Sequence, residues 1–248
     1  MGPQETARAV VFDLLYTLVH PGLYPGGVGR TGWLADLLGV DVESLKRKWA
    51  AFEPLLEAGQ SPYAPGTPPE LAWVQAVADD HGVVVAESAW TTIERDWDLA
   101  QRTALLDPPE ESRSTVMGLR ERGFRLGLLS NTHALELRAW SQSPLAPLFD
   151  AVALSHDVGA IKPHAATYQA VLARLDMEPP QAVYVGDGSN EELAGARAAG
   201  FGLVVLADEA ARRWGSAENL ARLQGQADAC VSSLPDLLTL LDATPQQR

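Results

Sequence analysis

The sequence predicts an α/β protein: a parallel sheet with helices on both faces, and an all-helical segment inserted after the first strand. Three observations predict it. Short apolar runs rich in Val, Leu and Ala end abruptly on polar residues, as strands buried on both faces do. From Pro108 onward such runs alternate with amphipathic helical stretches, the rhythm of βαβ units. Between about residues 20 and 105 there is no convincing strand, and apolar residues recur at helical spacing. A length of 248 residues suits one large α/β domain, or a core with a smaller insert.

The first strand lies in R-A-V-V-F-D-L-L-Y-T-L, Arg8 to Leu18, and ends on the carboxylate Asp13. A Gly/Pro-rich loop from Pro21 to Gly29 follows. Trp33, Leu34, Leu37 and Leu38 then form one helix face, and Gly39 is its expected stop. Asp41 is the expected N-cap of a second helix, with Leu45, Trp49, Phe52 and Leu56 on its apolar side. A loop carrying Pro62, Pro65, Gly66, Pro68 and Pro69 separates it from a third helix, which bears Leu71, Val74 and Ala78 and ends near Gly82. A fourth helix runs from Glu87 to Arg102, with Trp90, Ile93 and Trp97 together. Five of the seven tryptophans fall in this block, which reads as the core of a helical bundle.

A helix from Glu110 to Arg122 stops at Gly123, and the strand F-R-L-G-L-L-S ends on Ser130. A short helix, Ala134 to Trp140, precedes the strand A-V-A-L-S, Ala151 to Ser155. Lys162, in G-A-I-K-P, stands just before a helix whose buried face is Tyr168, Val171, Leu172 and Leu175. The strand A-V-Y-V-G leads to Asp187, and a helix from Glu191 to Ala199 closes at Gly200. The strands G-L-V-V-L and A-C-V-S-S-L complete the sheet.

The charge balance excludes some classes of partner. With a net charge of -13 the surface repels phosphate backbones and acidic membranes, though not a small anion held in a local positive pocket. The single cysteine, Cys230, excludes an internal disulfide and a zinc cluster, and A-C-V reads as a buried strand. The polar N-terminus lacks a signal h-region, and no apolar run approaches the ~18 residues of a membrane span. A cytoplasmic protein is the expectation; oligomeric state is not legible.

Asp13, Ser130 and Asp187 each end a strand, and Lys162 lies in a strand-to-helix loop. Parallel strands with right-handed crossovers bring such ends to one edge of the sheet. Two close carboxylates repel unless a cation lies between them. Mg²⁺ suits this, because it takes hard oxygen ligands and binds through one or two carboxylates plus substrate phosphate. Ser130 can donate to a phosphoryl oxygen, and Lys162 can neutralise remaining charge. Singly, each residue is as well explained as a turn former or helix cap. Together they describe a phosphoryl-transfer site.

At these residues the chain resembles the haloacid dehalogenase superfamily of hydrolases. The family motif D-x-D-x-T corresponds to D-L-L-Y-T, Asp13 to Thr17. The Ser/Thr motif corresponds to Ser130 in L-L-S-N-T, the Lys motif to Lys162, and the acidic motif to G-D-G-S-N-E-E, Gly186 to Glu192. The resemblance implies a Rossmann-like parallel sheet core, residues 1-19 and 106-248, with a helical cap domain at 20-105. It implies Asp13 as nucleophile toward a small phosphorylated or other small anionic substrate. It implies Mg²⁺ held by Asp13, Asp187 and the Leu15 backbone carbonyl. Thr17, Ser130, Asn131 and Lys162 would orient the phosphoryl group, and Glu192 or Glu191 would be the outer acid, with spacing favouring Glu192.

Two residues depart from the pattern. The family's second Asp, a general acid/base, is here Leu15, and its usual Gly is Tyr16. Leu15 keeps a backbone carbonyl but loses proton transfer, a contribution of typically ~10²–10⁴ in rate. Tyr16 could donate a hydrogen bond, and an acid could instead come from the cap or from His20. Two alternatives to a phosphatase therefore stand. One is a 2-haloacid dehalogenase. Such enzymes also lack the second Asp, and Tyr168 fits their spacing, but the intact Gly186-Asp187 does not, and Arg30 is merely near in sequence to their carboxylate-binding arginine. The other is a catalytically impaired relative that binds a phosphorylated ligand or a protein partner.

Overall fold

A computed structural model describes residues 7–22, 24–58, 71–133 and 135–242. The proline-rich loop from Pro62 to Pro69 and the tail after Thr244 lie outside those residues, and so does the side chain of Leu56.

The sheet is parallel throughout. Strand β1 (Ala9–Phe12) lies between β2 (Arg125–Ser130) and β4 (Ala182–Gly186); β3 (Ala151–Leu154) extends one side, and β5 (Leu203–Ala207) and β6 (Ala229–Val231) the other. The period-two alternation of a strand divides its side chains between two cores. Val10, Phe12, Leu126, Leu128, Val183 and Val185 pack with Val116 and Leu119 of α5 (Glu110–Glu121) and Leu237 of α11 (Asp236–Asp242). On the other face Val11, Leu129 and Tyr184 meet α7 (Ala165–Leu175) and α8 (Glu192–Ala198). That is why these strands read as continuous apolar runs.

The order β3-β2-β1-β4-β5-β6 fixes where a ligand can bind. The chain leaves β1 toward one side and later returns to build the other, so a crevice opens at the carboxyl end of β1. Asp13 is the next residue, and its N–H is held at 2.9 Å by the Val185 carbonyl.

Between β1 and β2 lie α1 (Arg30–Leu38), α2 (Val42–Glu57), α3 (Ala72–Asp80) and α4 (Glu87–Leu106). Gly39 ends α1 in the left-handed conformation, φ 66°. The Asp41 carboxylate accepts from the Ser44 N–H at 2.9 Å at the start of α2. These helices share an apolar cluster of their own, with Trp33, Leu34, Leu45, Trp73, Ile93 and Trp97 inside it. Leu135, beyond β2, reaches into the same cluster.

Three expectations are corrected. The segment from Leu135 to Trp140 is a run of turns closing in a short 3₁₀ turn, Trp140–Gln142, not an α-helix. Its Glu136 carboxylate folds back onto the Thr132 hydroxyl at 3.1 Å and the His133 N–H at 3.4 Å, and a segment this short does not sustain a helical nucleus. Cys230 is exposed, because β6 is an edge strand of three residues. Ser155 opens a short helix, α6 (Ser155–Val158), instead of ending β3. The helices α9 (Glu209–Trp214), α10 (Ala217–Gln226) and α11 had no counterpart in the sequence reading.

Gly127 in β2 is where α7 presses closest. A Cβ there would lie 2.8 Å from Leu175 Cδ1 and 2.9 Å from Val171 Cγ2. Gly127→Val should destabilise the protein by about 1–3 kcal/mol through overpacking. Urea unfolding should show a lower midpoint at unchanged slope; a wild-type midpoint would mean that this contact is not tight.

Candidate active site

The strand ends do converge. Asp13, at the switch point of the sheet, is 3 % exposed. Thr17, one turn further on, donates to Asp13 Oδ2 at 3.1 Å. Lys162 arrives from the loop before α7, and its ammonium donates at 2.5 Å to both Asp13 Oδ1 and Glu192 Oε2. Asn131 holds that loop in place. Its Oδ1 accepts from the Lys162 N–H at 2.7 Å, and its Nδ2 donates to the Lys162 carbonyl at 3.3 Å. Ser130 ends β2 fully buried, with its hydroxyl 3.5 Å from the Asn131 carbonyl.

The acidic pair at Glu191 and Glu192 separates cleanly. Asn190 and Glu191 are both left-handed, φ 50° and 52°, so α8 starts one residue later than the periodicity suggests. The turn sends Glu191 outward to Arg222 at 3.0 Å and Glu192 inward to Lys162. Glu192 also accepts from the Tyr184 hydroxyl at 2.7 Å and the Gly188 N–H at 2.9 Å. The Tyr168 hydroxyl donates to the Glu192 carbonyl at 2.9 Å. Gly186 makes room for this: a Cβ there would lie 2.1 Å from Glu192 Oε1.

Asp13, Asp187 and Glu192 each offer an oxygen within 4.8 Å of the others. Burial raises the Asp13 carboxyl to about 6, against the lowering effect of Lys162. Burial, with Glu192 and Asp13 nearby, raises Asp187 to about 7. Burial would depress the Lys162 ammonium, but the Asp13 and Glu192 charges outweigh it and raise its pKa. Lys162 thus answers two of the three carboxylates. Asp187 accepts from the Ser189 hydroxyl at 2.8 Å but has no cationic partner among the described residues. A hard divalent cation fits that deficit.

Above the cluster lies a cavity of about 940 Å³, lined by Leu15, Tyr16 and Asp187 on one side and by Arg30, Trp49, Glu53 and Glu57 of the inserted helices on the other. Tyr16 is left-handed, φ 65°, and 43 % exposed toward this space. His20 lies beside the Tyr16 ring, 6.3 Å between centroids. The Arg30 guanidinium sits 3.7 Å from the Trp49 ring centroid and 4.8 Å from that of Trp97, and 3.7 Å from Glu136 Oε1. Arg30, Glu136, Tyr184 and Glu57 carry no motif. For Arg30, its place among helical tryptophans was the one available signal.

A model of the haloacid dehalogenase-like hydrolases matches residues 7–200. The chain belongs to that family. Among curated members, a glyceraldehyde 3-phosphate phosphatase of Methanothermobacter thermautotrophicus is 32% identical over 109 residues, 43% of this chain and 47% of that one. A pyrophosphatase, PpaX, of Bacillus pumilus is 28% identical over 150 residues, 60% of this chain and 66% of its own length. The chain spans about half the length of the first of these relatives. Solved structures share the fold. An L-2-haloacid dehalogenase from Xanthobacter autotrophicus superposes at TM-score 0.61 with 20% identity, over 96% of this chain and 100% of its own. A phosphatase of the family from Thermococcus onnurineus gives 0.58 with 19% identity, over 96% and 99%. The protein is therefore a member of that family, with a helical insert after the first strand of a Rossmann-like sheet.

The ion pair beside the cavity generates a pH prediction. Burial would raise the Glu136 carboxyl, but His133, Arg30 and the Thr132 hydrogen bond hold it down at about 2, below its ordinary 4.5. Its contribution to stability is present above 4.5 and lost as pH falls toward 2. Glu136→Gln should remove about 3 kcal/mol of pH-dependent stability, so the gap between wild type and variant in urea unfolding narrows as acid is added. A gap independent of pH would contradict this account of Glu136.

Proposed function

We propose that the protein is a Mg²⁺-dependent hydrolase of small phosphomonoesters that works through an aspartyl-phosphate on Asp13. One observation carries the reading: a buried Asp13 at the sheet's switch point, with the Lys162 ammonium at 2.5 Å and Asp187 close by without a cationic partner among the described residues. The phosphatase names of the relatives support it at the level of substrate class.

In this reading Asp13 Oδ attacks phosphorus, and water later cleaves the aspartyl-phosphate. Lys162 keeps Asp13 ionised and meets negative charge that builds on the phosphoryl oxygens. Thr17 fixes the Asp13 carboxylate through Oδ2, while Ser130 and Asn131 orient the phosphoryl group. Asp13, Asp187 and the Leu15 carbonyl would hold Mg²⁺, which when bound would neutralise charge on the phosphoryl group. Glu192 acts one step back: with Lys162, Tyr184 and Gly188 on its carboxylate, it sets the position of Lys162.

A second reading, the haloacid dehalogenase, has one observation in its favour. Arg30 lines the cavity and could take a carboxylate. Asp187, which such a reaction leaves without work, argues for phosphate.

A panel of alkyl and aryl phosphates should be hydrolysed with Mg²⁺, lose turnover on chelation and regain it on re-addition, and Asp13→Asn should fall by ~10⁴ or more. Halide release from 2-haloacids without metal would replace this reading with the dehalogenase. Phosphate-dependent binding with no turnover of any substrate would leave a binding protein.

A further inference from the structure

Leu15 stands where the reaction proposed above needs a proton, and the cavity must supply it from elsewhere. With Asp187 committed to the metal, Glu191 paired with Arg222 and Lys46 paired with Glu43, three kinds of group on the cavity wall are left to weigh. Glu136 is held ionised by His133 and Arg30 and has no proton to give at neutral pH. The Tyr16 hydroxyl, raised further above 10 by burial, can donate but is a poor base for the water step. The remaining groups are the α2 carboxyls, Glu53 and Glu57.

Glu57 differs from Glu53 in what it faces. Burial raises the Glu53 carboxyl, but Arg30 and a hydrogen bond with Trp49 pull against it. Glu57, at the C-terminal end of α2, is only 8 % exposed and has no ion-pair partner among the described residues. It lines the same cavity as Leu15 and Asp187, and the charges of Lys162 and Asp13 reach it. Helix α2, which carries Glu57, packs against α6, the short helix just before the Lys162 loop.

We propose that Glu57 is the general acid and base of the Asp13 reaction, reaching from the inserted helices to do what Leu15 cannot. The assignment rests on the phosphoryl-transfer reading above. As Asp13 Oδ bonds to phosphorus, the bond from phosphorus to the leaving oxygen breaks. That oxygen keeps the electron pair and takes the Glu57 proton, leaving as an alcohol. The Glu57 carboxylate then takes a proton from water as the water oxygen attacks phosphorus. The Asp13–phosphorus bond breaks, and phosphate, ionised Asp13 and protonated Glu57 result.

The groups facing Glu57 suit both halves of the cycle. Burial, then Glu53, Glu136 and Asp13, raise its carboxyl, Lys162 lowers it, and the balance stands at about 8. The acid form is present at neutral pH and is lost as pH rises through that value.

The test compares Glu57→Gln with wild type, with Mg²⁺, on glycerol phosphate and on a dinitrophenyl phosphate. The alkoxide of the first needs a proton to leave; the dinitrophenolate does not. For the variant, kcat/KM should fall by about 10²–10⁴-fold on glycerol phosphate and by a much smaller factor on the aryl ester. The variant should release one equivalent of dinitrophenolate in a burst and then turn over slowly, because hydrolysis of the aspartyl-phosphate lacks its base. Its pH profile on glycerol phosphate should lose the alkaline limb that wild type shows. Equal losses on both esters without a burst would overturn the assignment and make Glu57 structural, and so would no loss at all. A wild type that turns over neither ester would overturn the reading of Asp13, and Glu57 with it.

Discussion

The Lys162 ammonium, held 2.5 Å from Asp13 and 2.5 Å from Glu192, is the contact on which the rest of the site depends. All three groups are buried. Carboxylates in such a place are stable as ions only if a charge of opposite sign lies against them, and removing one partner of such a pair costs roughly 3–5 kcal/mol. Much of the surrounding structure serves this contact. Asn131 brackets the Lys162 backbone, Tyr184 and Gly188 fill the lone pairs of Glu192, and Gly186 lacks the Cβ that would push the carboxylate away. The sheet order adds the rest, because β1 and β4 are neighbours and so deliver Asp13 and Asp187 to the same crevice.

The inserted helices complete the site from the other side. Arg30 is one link between the two parts. Its guanidinium stacks among tryptophans of the insert while pairing with Glu136 on the segment after β2. Leu135, one residue earlier, enters the same apolar cluster. That segment gave up a regular helix to make these contacts. The insert therefore meets the core through a half-buried ion pair and an apolar plug, and the cleft between them is walled by both.

How much of this was legible in the sequence follows from which interactions are local. Strand ends announce themselves through apolar runs that stop, and Asp13, Ser130, Lys162 and Asp187 sit at such stops. Family spacing leaned toward Glu192 over Glu191 without deciding between them, because the choice turns on two consecutive left-handed residues, Asn190 and Glu191, that no periodicity signals. Cys230 read as buried because its neighbours are apolar, yet edge position is a property of the whole sheet. Glu57 and Glu136 were invisible for a related reason: part of the character of each comes from a group far off in the chain, Lys162 for Glu57 and Arg30 for Glu136.

The central claim is that Asp13 becomes covalently phosphorylated. Acid-quenching the protein during turnover of an aryl phosphate with Mg²⁺, then mass analysis of the peptide containing Asp13, tests it most directly. The account requires a phosphoryl adduct on Asp13 that forms within the first turnover and is discharged by water. Phosphate release at the wild-type rate by Asp13→Asn, with no adduct trapped in either protein, would contradict it.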